Sequence, residues 1–209
     1  MDTPQNWRKR FWPVCNPSRA STQLIAIDAE GNLPDHAWET LGAADAIIMG
    51  SPTYMGSVSW QFNKFADTLS KAWFRQAWKD KIAAGFTNSA TMNGDKHSTL
   101  HYLFTLAMQH SMVWVGTGLM PANSKAAKRN DINYVGSFSG LMAQSPADST
   151  PEEGPPPGDL ETAKLFGKRV AETAIRFKKR PRLNDLHIVG VYQYNRIYSL
   201  ALATDCYQT

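Results

Sequence analysis

The sequence predicts an α/β domain built on a parallel sheet with helices on both faces. Three observations carry this. Continuous apolar runs such as Ala46-Ile47-Ile48-Met49-Gly50 read as strands buried on both sides. Each run is followed by turn residues and then by a segment with helical apolar spacing. The alternation repeats along most of the chain, which is the pattern of a parallel sheet with crossover helices.

The chain has 209 residues, with 43% hydrophobic and 19% charged residues, so it is long enough for one domain with a real core. Leu24-Ile25-Ala26-Ile27 reads as the first buried strand, closed by the turn residues Asp28 to Asn32. A short helix is expected over 35–41 and a strand over 43–50. A helix over 57–72 follows, with Phe62, Phe65, Ala66 and Leu69 at helical spacing. A strand at 81–86 leads into a polar loop. A helix over 97–109 presents Leu100, Leu103, Phe104 and Ala107 on one face, and a strand covers 112–116.

Residues 117–158 read as one long loop, expected to be mobile unless a ligand or partner subunit orders it, since loops beyond about 15 residues are functional or disordered. The final helix, 159–178, has Asp159 as its expected cap. Three regions result: an irregular segment at 1–21, the α/β domain at 22–180, and a tail at 181–209. The tail contains a β-rich stretch, 188–202, with no assignable place in the sheet.

Charge and cysteine content narrow the function classes. The net charge is +4, concentrated in Arg8-Lys9-Arg10 and in Lys178, Lys179, Arg180 and Arg182. The second cluster suits the C-terminal end of a helix, and no aromatic–basic interleaving argues for nucleic acid. Two cysteines, Cys15 and Cys206, form neither a disulfide framework nor a metal-ligand pattern. With no secretory leader pattern and no apolar run of membrane-spanning length, a cytoplasmic protein is expected.

Ligands of open α/β sheets bind beyond the carboxyl ends of the strands. Two loops there have the required chemistry. In Gly50-Ser51-Pro52-Thr53-Tyr54-Met55-Gly56, backbone groups are available to the edge of a planar ring, and Tyr54 and Met55 can cover its face. A tight Pro/Gly turn with a helix cap explains the same residues equally well. In Thr87 to Asp95, small polar residues leave backbone amides open to a ligand, or simply form a flexible loop before a helix. His110, at the end of a helix, is in sequence terms more often a cap than a catalytic group.

Together these loops, with Gly94-Asp95-Lys96, Gln109-His110-Ser111-Met112 and Gly136 to Ser145, resemble the flavodoxin family of WrbA-type NAD(P)H:quinone oxidoreductases. The resemblance spans about 22–178 and implies a flavodoxin-like sheet, bound FMN, NAD(P)H as electron donor and a small quinone as acceptor. It implies that Pro52, Thr53, Tyr54, Met55 and Gly56 flank the isoalloxazine. It likewise implies that Asn88, Ser89, Ala90, Thr91, Met92 and Asn93 line its polar edge and ribityl side, and that His110 contacts the flavin. Trp73 would help form the substrate pocket across the interface of a homo-oligomer, a dimer or tetramer. No side-chain acid, nucleophile or metal is required, because the chemistry is the cofactor's.

The resemblance breaks at the start of the chain. Family members begin with a strand, a phosphate-cradling loop and a helix, which need about 30 residues. Met1 to Thr22 cannot supply them, and Asn16 to Thr22, with Arg19, is a poor substitute. The first strand of the flavodoxin order lies between the second and third. Its loss is therefore expected to split the sheet and to weaken FMN binding, leaving little preference over riboflavin. A non-catalytic flavodoxin-fold scaffold that oligomerises without flavin is the alternative reading.

Overall fold

The computed structural model describes residues 20–150, 152–178 and the backbone of 186–193. Its strands are β1 (Ala20–Ile27), β2 (Ala46–Pro52), β3 (Ile82–Ser89), β4 (Val113–Trp114), β5 (Leu141–Gln144) and β6 (Leu186–Gln193). The helices are α1 (Ala37–Ala43), α2 (Trp60–Thr68), α3 (Ser70–Phe74), α4 (Lys96–Gln109) and α5 (Pro157–Phe177).

All strand pairs are parallel, in the order β1-β6-β2-β3-β4, with β5 also on β3. The expected parallel sheet is therefore present. The expected split is not. β6 pairs with β1 from Ala20↔Leu186 to Ile27↔Gln193, and with β2 from Ala46↔Ile188 to Gly50↔Tyr192. The tail that sequence reasoning left unplaced thus holds the position between β1 and β2. The reason is physical: β1 and β2 each turn a row of N–H and C=O groups toward the gap between them, and a strand in that gap satisfies both rows. Residues 1–19, including Cys15, and the later tail with Cys206 lie outside the described residues.

Side chains alternate along the strands, as period 2 requires. Ile47 and Met49 of β2 point into one core with Ile25, Ile27, Phe62, Phe65, Leu100 and Leu103. Ala46 and Ile48 point into the other with Ile82, Ala84, Phe86, Leu141, Phe166 and Val170. Helices α1, α2 and α4 cover the first face. Among the described residues, α5 alone covers the second. Close approach shapes the sheet at Gly50, where a Cβ would sit 2.1 Å from the Phe86 ring.

Two further expectations change. The helix expected over 57–72 is divided at Leu69, which closes α2 and precedes α3. The expected loop at 117–158 contains β5. β4 pairs with Ile82 and Ala83, and β5 with Phe86 to Ser89, so the two share one edge of β3. They act as one interrupted edge strand with an excursion between them. The excursion is tied down within the chain. Thr117 N–H donates to Phe138 O (3.0 Å). The Asn133 amide donates to Leu119 O (2.9 Å) and Ser137 O (3.0 Å), and its Oδ1 accepts from Ser137 N–H (3.0 Å). A four-residue strand lacks the length that makes a periodic sequence signal, which is why the loop reading missed it.

Because β6 bonds on both edges, it should behave as a central strand. Val189→Pro removes a ladder donor and introduces a ring clash. It should lower unfolding stability in urea by about 3 kcal/mol or more. A loss below about 1 kcal/mol, the scale of one ordinary hydrogen bond, would place β6 outside the sheet.

Candidate functional site

The carboxyl ends of β2 and β3 bring the two sequence-singled loops together. Thr53 N–H donates to Asn88 O (3.0 Å), continuing the β2–β3 ladder one residue past β2. Beneath it the Thr53 hydroxyl lies 2.8 Å from the hydroxyls of both Thr87 and Thr99. All three residues are buried, and each hydroxyl has a partner in the chain, so the floor costs no unmet hydrogen bond. Asn88 is buried too, its amide donating to Ser145 Oγ (3.0 Å). Ser51 Oγ accepts from Ser59 N–H (3.0 Å), and Ser59 Oγ accepts from Phe62 N–H (3.3 Å), capping α2.

Above this floor the chain makes a tight turn. Tyr54 and Ser57 exchange backbone hydrogen bonds of 2.9 Å, with Met55 at φ 46° and Gly56 at φ 73°. Two consecutive left-handed residues define a type I′ turn. Gly56 adopts it freely. Met55 does so at a cost of about 1–2 kcal/mol, and its side chain is fully exposed. A long apolar side chain held in a strained conformation at a loop tip contributes nothing to the core, and such strain concentrates at ligand-contacting positions. Tyr54 is half-exposed beside it, and burial raises its phenol pKa above the usual value.

The second loop, from Ala90 to Asn93, is exposed at its tip and anchored from below by Lys96. That side chain is fully buried, and its ammonium donates to Thr91 O and to Met92 O (3.0 Å). Burial lowers its pKa to about 8; Asp159 opposes the shift and Arg129 adds to it. Gly94 and Asp95, both left-handed, turn the chain into α4, and a Cβ on Gly94 would meet Ser89 Oγ at 2.3 Å. The Gln144 amide donates to Ala90 O (2.8 Å).

Gln144 in turn joins an ion pair between buried Asp159 and partly exposed Arg129. Asp159 accepts from both Arg129 guanidinium nitrogens at 2.6 Å and from Gln144 N–H at 2.9 Å. The expected role of Asp159 as a helix cap is therefore corrected. It lies inside the first turn of α5, and its carboxylate fixes β5 and the excursion instead. Sequence reasoning missed Lys96, Arg129 and Gln144 as organisers, because their role depends on contacts between distant elements.

The structure brings together Pro52, Thr53, Tyr54, Met55 and Gly56 with Asn88, Ser89, Ala90, Thr91, Met92 and Asn93. It does not bring His110 to them. α4 starts beyond the carboxyl end of β3 and runs back, so His110, at its end, lies beside the start of β4, which pairs with Ile82 at the amino end of β3. There it is buried, its ring tilted against Trp78 with 4.7 Å between ring centroids, and desolvation lowers its pKa. Its Nδ1 has no hydrogen-bond partner among the described residues. Within this chain fourteen helical residues, about 21 Å, separate His110 from the site. Trp73 lies toward the same far end. Its carbonyl accepts from Gln76 Nε2, which also reaches Gln109 O. The Trp73 ring is half-exposed.

Loops at the carboxyl edge of a parallel sheet, with a buried polar floor and exposed apolar side chains, suit a flat ligand, and the sheet is that of a flavodoxin-like α/β protein. Residues 17–126 match the model of the family described as NADPH-dependent FMN reductase. The chain is 52% identical over 152 residues to Flavodoxin FldP of Pseudomonas aeruginosa, which covers 73% of this chain and 82% of that protein. It is 34% identical over 170 residues to an NAD(P)H dehydrogenase (quinone) of Geotalea uraniireducens, covering 80% and 81%. The crystal structure of a flavodoxin, WrbA-like protein from Agrobacterium tumefaciens matches with a TM-score of 0.59 and 49% identity, over 74% of this chain and 81% of the other. The chain belongs to the NADPH-dependent FMN reductase family and is a WrbA-type flavodoxin-fold protein.

Two substitutions test this organisation. Lys96→Met removes the donor to Thr91 O and Met92 O, which should cost about 1–3 kcal/mol at neutral pH. The pH dependence has a defined sign. Lys96 has a lower pKa folded than unfolded, so the unfolded chain binds more protons between about pH 8 and 10.5. The wild type should therefore gain stability from this group over that range, and Lys96→Met should lack that gain in urea melts at stepped pH. Arg129→Met strands the buried Asp159 carboxylate and should cost about 3–5 kcal/mol in the same assay.

Proposed function

We propose that this chain is an FMN-dependent NAD(P)H:quinone oxidoreductase. The single observation that carries the reading is the junction of the Thr53–Gly56 turn with the Ala90–Asn93 loop. Exposed Tyr54, Met55 and Met92 there surround backbone groups at the sheet's carboxyl edge. An aromatic tricycle with one polar edge matches that surface: apolar side chains for its faces, peptide N–H and C=O groups for its edge. Relatives named NAD(P)H dehydrogenase (quinone) support the assignment of donor and acceptor.

The residues divide the work. Thr53, held by Thr87 and Thr99, fixes the height of the turn relative to Asn88. Lys96 fixes the carbonyls of Thr91 and Met92, so the loop's amides face a ligand in one arrangement rather than many. Tyr54 and Met55 exclude water from one face, which strengthens the polar contacts beneath. The bound flavin supplies two-electron transfer between nicotinamide and quinone. Trp73, on the far side of its own subunit, contributes to a substrate pocket only from a second copy, so this reading includes a homo-oligomer.

A flavodoxin that carries electrons without turning over NAD(P)H is the second reading, favoured by the similarity to Flavodoxin FldP. Purified protein reconstituted with FMN and supplied with NAD(P)H and benzoquinone separates the two. The first reading expects quinone-dependent NAD(P)H oxidation. It also expects Met55→Ala to bind flavin roughly 10-fold more weakly, from lost apolar contact. A flavin-loaded protein that never oxidises NAD(P)H would overturn the first reading in favour of the second.

A further inference from the structure

Helix α4 carries two histidines that the candidate site does not use, His97 and His101. They are four residues apart, so they lie one above the other on the same face of the helix. Both are exposed, and their ring centroids are 6.3 Å apart with the planes inclined at 38°. Four residues is the helical spacing at which two imidazoles can ligate a single metal ion.

The separation of the rings matches that use. A metal–nitrogen bond of about 2.0–2.1 Å places the ion about 3.2 Å from the centroid of its imidazole. Two rings on one ion are then at most about 6.4 Å apart, and about 4.5–5.3 Å apart at coordination angles of about 90–110°. The observed 6.3 Å lies just inside the limit. Rotation of exposed side chains about their own torsions closes the remaining 1–2 Å or so without moving the helix.

His101 is also held from one side. Its ring stacks on Phe104 at 6.3 Å between centroids, and Phe104 meets Trp114 edge-on at 5.7 Å. Trp114 is fixed in turn, its indole N–H donating to Ser139 O (2.6 Å). A ring already backed by an aromatic wall loses less freedom when it binds.

The donor set selects the class of ion. Imidazole nitrogen suits nickel, copper and zinc, whereas magnesium and calcium take oxygen ligands. Among the described residues no third His, Cys, Asp or Glu joins the pair. Water therefore fills the other positions, and the site is an open two-nitrogen chelate rather than a closed structural one. The positive end of the α4 dipole opposes a cation here, by less than about 10-fold in affinity. Asp95, the N-cap residue two positions before His97, offsets that charge. The second imidazole binds intramolecularly, so it adds affinity without a second association step.

We propose that His97 and His101 form a surface site for one divalent ion of the late first transition row, Ni2+, Cu2+ or Zn2+, and that the ion clamps the first two turns of α4. The site lies outside the two ring loops and does not depend on flavin binding.

Isothermal titration calorimetry of the flavin-free full chain with nickel chloride tests this, with a thermal melt as the second readout. The wild type should show a site filled at one Ni2+ per chain, and Ni2+ should raise its Tm. His97→Gln and His101→Gln should each weaken that site by at least about 10-fold and remove the rise in Tm. Both positions are exposed and glutamine is a good helix former, so the variants should keep the fold. The double variant should lose little more than either single one, because the chelate is already broken. His36→Gln should leave the site unchanged, and magnesium chloride should not fill it. Nickel affinity indifferent to both substitutions would overturn the proposal. So would two sites per chain that disappear one at a time, each without weakening the other, since the imidazoles would then be binding separate ions.

Discussion

The pairing of β6 with β1 and β2 is the constraint on which the rest of the structure depends. β2 is buried along its length and β1 at Ile25 and Ile27, and the two strands never pair with each other. Without a strand between them, each would expose a row of backbone donors and acceptors inside the sheet. Each such group would cost about 1–3 kcal/mol. Their pairing fixes the height of β2, which sets Ser51 and Pro52 at the edge, which in turn sets Thr53 against Asn88. The candidate site is a consequence of strand register before it is a set of side chains.

From that edge outward, the site is held by groups that never face a ligand. The hydroxyls of Thr53, Thr87 and Thr99 satisfy one another at the floor. Lys96 secures one loop from beneath, and Arg129, Asp159 and Gln144 bind β5, the excursion and α5 to that loop. An ion pair with a buried carboxylate contributes little net stability, but breaking it is expensive, so it specifies one arrangement. The exposed apolar groups Tyr54, Met55 and Met92 sit on this frame.

Much of this was legible in the sequence. The runs at 24–27, 46–50 and 82–86 are continuous and apolar, and the sheet places all three as parallel strands. The two loops were singled out by residue type and by position after a strand. His110 is not brought to these loops within this chain. The residue follows a family-like motif, but a helix of fourteen residues carries it to the opposite end of the sheet, a distance no local pattern reports. β5 was missed because four residues are too few for periodicity to register. β6 was missed for a different reason. Its apolar run was visible, but strand order is a long-range property, and nothing local says that a terminal strand fills the place a missing first strand leaves.

Amide hydrogen exchange, read peptide by peptide by mass spectrometry, tests the central role of β6 most directly. A strand bonded on both edges exchanges only when the sheet opens, at close to the global unfolding free energy. Peptides covering Leu186–Gln193 should be protected as strongly as those covering Ala46–Pro52, and the two should lose protection together as urea is raised. Exchange in Leu186–Gln193 as fast as in an unstructured peptide, with Ala46–Pro52 still protected, would contradict the account.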